Sequence, residues 1–278
     1  MAGIAKNHDY HMVEPSPWPF VMSVAVFLLA LGIIFWMRQW TPWMFFIGLT
    51  AVLYTMYAWW SDVIKEANNG VDHTPVVQMH LRYGMILFIT SEIFVFFGFF
   101  WAYFDGFFRL DDVEQYARVA GTGGVWPPIG VELFDPFHLP LFNTLLLLTS
   151  GTTVTWAHHA LLQNDREGLK WGLALTVLLG VVFTAVQALE YSQAGFSFSG
   201  NIYGATFFMA TGLHGFHVII GTIFLAVCLL RAIRGEFTPE RHVGFELAAW
   251  YWHFVDVVWI FLFASIYVWG SWGVPLSH

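Results

Sequence analysis

The sequence predicts an all-α protein that crosses a membrane several times. Of its 278 residues, 58% are hydrophobic and only 11% charged, and the mean hydropathy is +0.62. A soluble domain carries about a quarter charged residues. The apolar residues gather in runs of the ~20 needed to cross a bilayer core. These runs are continuous rather than alternating. That selects helices over a closed barrel, the two structures that pair every backbone group inside lipid.

Seven spans follow in order. The first covers 18–37 and stops at Arg38. The second covers 41–64, with Pro42 where a helix can start. So short a link joins them that they must form an antiparallel hairpin. The third, 76–108, is interrupted by Arg82 near its start and Glu92 near its middle. The others cover 139–162, 169–191, 203–230 and 245–269. Between the third and fourth, residues 109–138 contain Gly121, Gly123, Gly124, Pro127 and Pro128 and read as a loop. The first 17 residues hold one lysine and no apolar core before Pro15, so a polar tail is expected rather than a cleaved signal peptide.

Basic residues orient the spans. With the N-terminus inside, Lys6, Lys65, Arg82, Arg166, Lys170, Arg231, Arg234 and Arg241 fall on or near the inner side. Only Arg38, Arg109 and Arg118 fall outside. This bias predicts N-in and C-out. Trp59 and Trp60 then mark the inner interface, and Trp40, Trp43, Trp269 and Trp272 the outer one.

Several function classes are excluded. A formal net charge of -8 suits nucleic acid poorly. The single cysteine, Cys228, rules out a disulfide within the chain and reads as a buried packing residue. No P-loop, dinucleotide fingerprint or zinc-finger spacing occurs. The one lysine inside a span, Lys170, stands at the very start of the fifth, so no lysine lies deep enough for a retinal Schiff base.

Glu92 is the sharpest candidate residue, because an ionisable side chain near mid-membrane is costly and marks a functional site by default. It reads as a proton-relay member, a lining residue of a lipid or gas path, or a structural hydrogen bonder, satisfied by Thr90, Ser91 or a histidine on another span. His214 and His217 share a face of the sixth span, three residues apart. They read as polar contacts in a bundle or as haem ligands opposite His253. Gly212, Gly215 and Gly221 permit close helix contact there. His253 and Asp256, again three apart, are expected to pair, and His158 and His159 to make interfacial contacts. Glu66, His73 and Arg231 fall at inner headgroup depth near Trp59 and Trp60, either binding phospholipid headgroups or anchoring the inner side. In the tail, His8, Asp9, His11 and Glu14 form a candidate proton-collecting group or a solvated segment.

Several strings carry a family resemblance: PSPWPF at 15–20, HTPVVQ at 73–78, LRYGMILFITSEIFVFFGFFWA at 81–102 and VWPP at 125–128. LPLFNTLLLLTSG at 139–151, TWAHHAL at 155–161, YGATFFMATGLHGFHVIIGTIFL at 203–225 and GFELAAWYWHFVDVVWIFLF at 244–263 extend it over nearly the whole chain. Together they resemble subunit III of aa3-type cytochrome c oxidases, bacterial and mitochondrial. Residues 105–124 show no motif of that family.

The resemblance implies a two-helix and a five-helix bundle separated by a lipid-filled, V-shaped cleft. The expected organisation is a tail 1–17, a hairpin 18–64, an inner loop 65–75, a bundle 76–270 and a C-terminal tail 271–278. It also implies a chain without haem, copper or other metal, packed beside subunit I, which carries haem a, haem a3 and copper. Electrons enter from cytochrome c through copper in subunit II. By the same resemblance, Glu92 matches a carbodiimide-reactive glutamate with His217 as its partner, and Trp60, Glu66, His73 and Arg231 match lipid-headgroup residues. The function implied is support of proton uptake and stability of subunit I, in a bacterial inner membrane. Rival readings are a subunit III of a quinol oxidase, a b-type membrane cytochrome, and a transporter using Glu92.

Overall fold

A computed structural model describes residues 9, 10, 15–109 and 116–272. Among them the chain is helical, with no strand beyond one isolated bridge between Thr238 and Arg241. The elements are α1 (Trp18–Met37), α2 (Trp43–Asn69), α3 (Pro75–Phe108), the short α4 (Tyr116–Thr122), α5 (Leu139–Leu162), α6 (Arg166–Ser192), α7 (Ile202–Ile233) and α8 (Val243–Leu262). A π-helical run, Phe263–Trp269, continues α8.

The seven long helices correspond to the seven expected spans. Six are long and apolar enough to cross a membrane. The seventh, α5, has 24 residues, ample for a bilayer core. Its threonines, serine and two histidines lower its apolarity, and several of them turn inward.

The helices outrun the apolar windows because polar residues cap them. The second runs on past Ile64 to Asn69, where Gly70 at φ 72° takes the left-handed cap conformation. Asp165 accepts from the Gly168 amide at 3.0 Å and starts α6 ahead of its apolar run. Asn201 accepts from the Gly204 amide and starts α7. The expected loop 109–138 is interrupted by α4.

Contacts divide the chain into two compact units, 1–81 and 82–278. In the first, α1 and α2 cross at Gly32 and Gly48. A methyl group on Gly32 would strike the Phe45 backbone, and one on Gly48 the Leu29 backbone. This is close packing through small residues, the usual device where lipid removes any hydrophobic drive between helices. Trp18 Nε1 donates to Asp62 Oδ2 at 2.7 Å and fastens the hairpin's open end. Asp9 and Tyr10 meet the start of α3. The Thr74 hydroxyl donates to the Asp9 carbonyl at 2.6 Å, and Tyr10 stacks on His80 with centroids 6.1 Å apart.

The second unit holds the buried core. Trp252 of α8 is fully buried and wedged between two glycines. A methyl group on Gly180 of α6 or Gly221 of α7 would lie 2.8 Å from its indole. Its Nε1 donates to Ser150 Oγ of α5 at 2.8 Å, so one side chain ties four helices. Two turns on, Trp259 Nε1 donates to Thr144 Oγ1 of α5 at 2.9 Å, and Phe183 meets its ring edge-on at 4.9 Å. Cys228 is buried.

Candidate functional site: an acid–imidazole pair

Glu92 projects from the middle of α3, and its Oε2 lies 2.9 Å from His217 Nε2 of α7. The two side chains are 21% and 7% exposed. Aromatic rings pack around the imidazole: Phe96 lies 5.0 Å from its centroid, Phe254 6.1 Å and Tyr251 6.2 Å. Thr90 and Ser91 bond instead to the carbonyls of Ile86 and Phe88 on their own helix.

The second imidazole nitrogen settles how many protons the pair holds. His217 Nδ1 lies 2.8 Å from the Leu213 carbonyl. A carbonyl only accepts, so Nδ1 carries a hydrogen. One further proton then lies between Nε2 and Oε2, either as a carboxylic acid facing neutral imidazole or as carboxylate facing imidazolium. The pair is neutral overall in both forms, which meets the cost of placing ionisable groups at this depth.

The other histidines have separate commitments. His214, fully buried, donates from Nε2 to the Val255 carbonyl at 3.1 Å and sits against Trp259. His253 bonds the Thr155 hydroxyl at 3.1 Å. Its Nδ1 faces Asp256 at 3.8 Å, an ion-pair distance beyond hydrogen-bond reach. His158 packs against His242 and Phe245.

Trp60 is 57% exposed on α2 in the first unit, where Glu66 lies on the last turns of α2 and His73 just precedes α3. In the second unit Arg231, on the last turn of α7, donates from Nε to Glu236 Oε2 at 2.9 Å and lies 4.5 Å from the Phe237 ring centroid. His8 and His11 lie outside the described residues. Among the described residues, no group of three or more His, Cys, Asp or Glu is placed to hold a metal ion.

Two features escaped the sequence reading. Arg82 of α3 grips Glu246 of α8 with a forked contact, Nε at 3.1 and 3.0 Å from the two carboxylate oxygens and a terminal nitrogen at 2.7 Å. Glu190 lies fully buried in α6. The signal for both was an acidic residue inside or at the rim of a span. Each stands near a span end, where charges pass for flanking anchors.

The fold and this site define a polytopic helical membrane protein that pairs an acid with an imidazole in the middle of its third helix. Residues 8–271 match the family model described as cytochrome c oxidase subunit III. The chain is 54% identical over 264 residues to cytochrome c oxidase subunit 3 of Cyprinus carpio, covering 95% of this chain and 98% of that protein. The same identity and coverage hold against the subunit 3 proteins of Carassius auratus and Squalus acanthias. The chain belongs to the cytochrome c oxidase subunit III family. It is therefore a subunit of an oxidoreductase complex of the respiratory chain and works together with other subunits.

Proposed function

We propose that this chain is the lipid-holding support subunit of the oxidase. It packs directly on subunit I, with subunit II in the same complex, and leaves haem a, haem a3 and copper to those partners. Cytochrome c serves the whole complex as donor; the quinol-oxidase, b-type cytochrome and transporter readings are not favoured. The observation that carries this reading is how little the first three helices bury. Only 11% of the apolar window of α1, α2 or α3 is buried within the chain, against 56% for α8 with its π-helical extension. On α3, Leu87 and Phe94 are each 70% exposed. Such faces need lipid or partner helices to cover them.

Within this reading, Trp60, Glu66 and His73 in the first unit and Arg231 in the second contact phospholipid headgroups. Glu92 and His217 brace the bundle at mid-membrane, so that proton uptake into subunit I persists through many turnovers. His8 and His11 collect protons on the inner side. In this reading the membrane is a bacterial inner membrane; the distribution of Lys and Arg supports the orientation, with the N-terminus cytoplasmic and the C-terminus periplasmic.

The test is to tag the chain, purify it gently from native membranes, and record reduced-minus-oxidised spectra before and after partners are stripped. Haem a should co-purify and then leave with the partners. Haem retained by the isolated chain would overturn the reading. Glu92→Ala should keep the haem spectrum and shorten the number of turnovers before inactivation. Unchanged inactivation kinetics would count against the bracing role.

A further inference from the structure

A buried acid outside the Glu92 pair lies near the end of α6. Glu190 is fully buried. Its Oε1 accepts from the Tyr267 hydroxyl at 2.6 Å and from Gln187 Nε2 at 3.1 Å. Gln187 Oε1 accepts in turn from Asn143 Nδ2 of α5 at 3.1 Å. Tyr267 belongs to the π-helical run after α8. Such wide turns re-aim side chains and recur at functional sites. The network therefore joins α5, α6 and the end of α8.

The hydrogen-bond inventory is uneven. Glu190 Oε1 receives two donors, while Glu190 Oε2 is buried with none. Asn143 Oδ1, at the far end of the same chain of bonds, is also a buried acceptor without a donor. The titratable groups facing the acid are tyrosines: Tyr267, Tyr191 beside it on α6, and Tyr203 of α7. Tyr191 spends its hydroxyl hydrogen on Thr211 at 2.7 Å. Among the described residues no Lys, Arg or His pairs with Glu190.

A carboxylate here would be an uncompensated anion within a membrane-embedded core, with one oxygen unsolvated. Protonation removes the uncompensated charge. The carbonyl oxygen of the acid accepts two bonds, as Oε1 does, which leaves Oε2 to carry the hydrogen; that hydroxyl has no acceptor among the described residues. We propose that Glu190 is a proton-binding site, held as a neutral acid protonated on Oε2, which latches α5, α6 and the end of α8 together. Loss of that proton leaves an unpaired anion between three helices and loosens the latch. Glu190→Gln is isosteric with the neutral acid and supports assembly.

The test is infrared spectroscopy of the assembled oxidase, comparing wild type with Glu190→Gln in H2O and D2O. The variant should lack one carboxylic C=O stretch, and the lost band should be the deuterium-sensitive signature of a protonated acid. Loss of carboxylate stretches with no change in the C=O region overturns the proposal. Tyr267→Phe gives an independent reading should Glu190→Gln not assemble. Removing the hydroxyl donor should move that C=O stretch to higher frequency. A change confined to the carboxylate region overturns the proposal equally.

Discussion

Deleting the Glu92 carboxyl asks whether the mid-membrane contact holds α3 to α7. The contact is 2.9 Å long and largely shielded by the chain itself. Glu92→Ala strips a buried imidazole nitrogen of its partner, which costs about 1–3 kcal/mol. His217→Ala breaks the same contact and also deletes a ring packed against Phe96, so it should cost about 2–4 kcal/mol. Hydrogen bonds between membrane helices average about 0.6 kcal/mol in double-mutant cycles and reach about 1.7 kcal/mol. A bond of ordinary length whose acid and base share a proton, and so gains charge assistance, belongs near the upper end. The coupling expected between the two positions is thus about 1.5 kcal/mol. The assay is pulse proteolysis of the assembled oxidase along a dodecyl sulfate series, with this chain's band quantified in wild type, both single variants and the double variant. A double variant whose loss equals the sum of the singles, to within about 0.3 kcal/mol, would refute the claim that the contact carries energy.

Other expectations follow from the packing. Gly221→Val drives a side chain into the Trp252 indole and should destabilise the second unit by about 1–3 kcal/mol, read as a lower inactivation temperature of the oxidase; an unchanged temperature would show that the tryptophan has room to move. Arg82→Met strands the Glu246 carboxylate and should cost about 1–3 kcal/mol, tempered by the arginine's partial exposure. Adding Glu246→Gln should recover part of that loss in the same assay, and no recovery would argue against the pairing. Asp165→Ala removes the cap that starts α6 and should cost about 1 kcal/mol, measured by proteolysis at the α5–α6 link.

The spans were legible because a bilayer imposes its own length on apolar runs, and no soluble core competes for the same pattern. Glu92 was legible for the same reason, as a charge in mid-window. Its partner was not. Spacing relates residues on one helix, whereas the contact of Glu92 with His217 joins helices 125 positions apart in sequence, and only the family resemblance pointed to it. The spacing of His253 and Asp256 did indicate an encounter, seen at 3.8 Å. It did not reveal Thr155, a residue of another helix, as the hydrogen-bond partner. Helix ends were read short because Asp165 and Asn201 extend helices beyond the apolar windows that locate them. The short α4 was read as loop because glycines and prolines crowd the segment around it.

The hydrogen that the Leu213 carbonyl fixes on His217 has an electrical consequence. Any movement of the hydrogen between Nε2 and Oε2 covers at most the 2.9 Å of the contact. The hydrocarbon core is about 30 Å thick, so that movement crosses at most about a tenth of the transmembrane field. A full crossing is worth about 2.3 kcal/mol per 100 mV, which leaves at most about 0.2 kcal/mol per 100 mV for this movement. The contact joins neighbouring helices rather than running along one, so its component along the field is smaller still. The field across an energised membrane therefore acts only weakly on a hydrogen held between these two atoms.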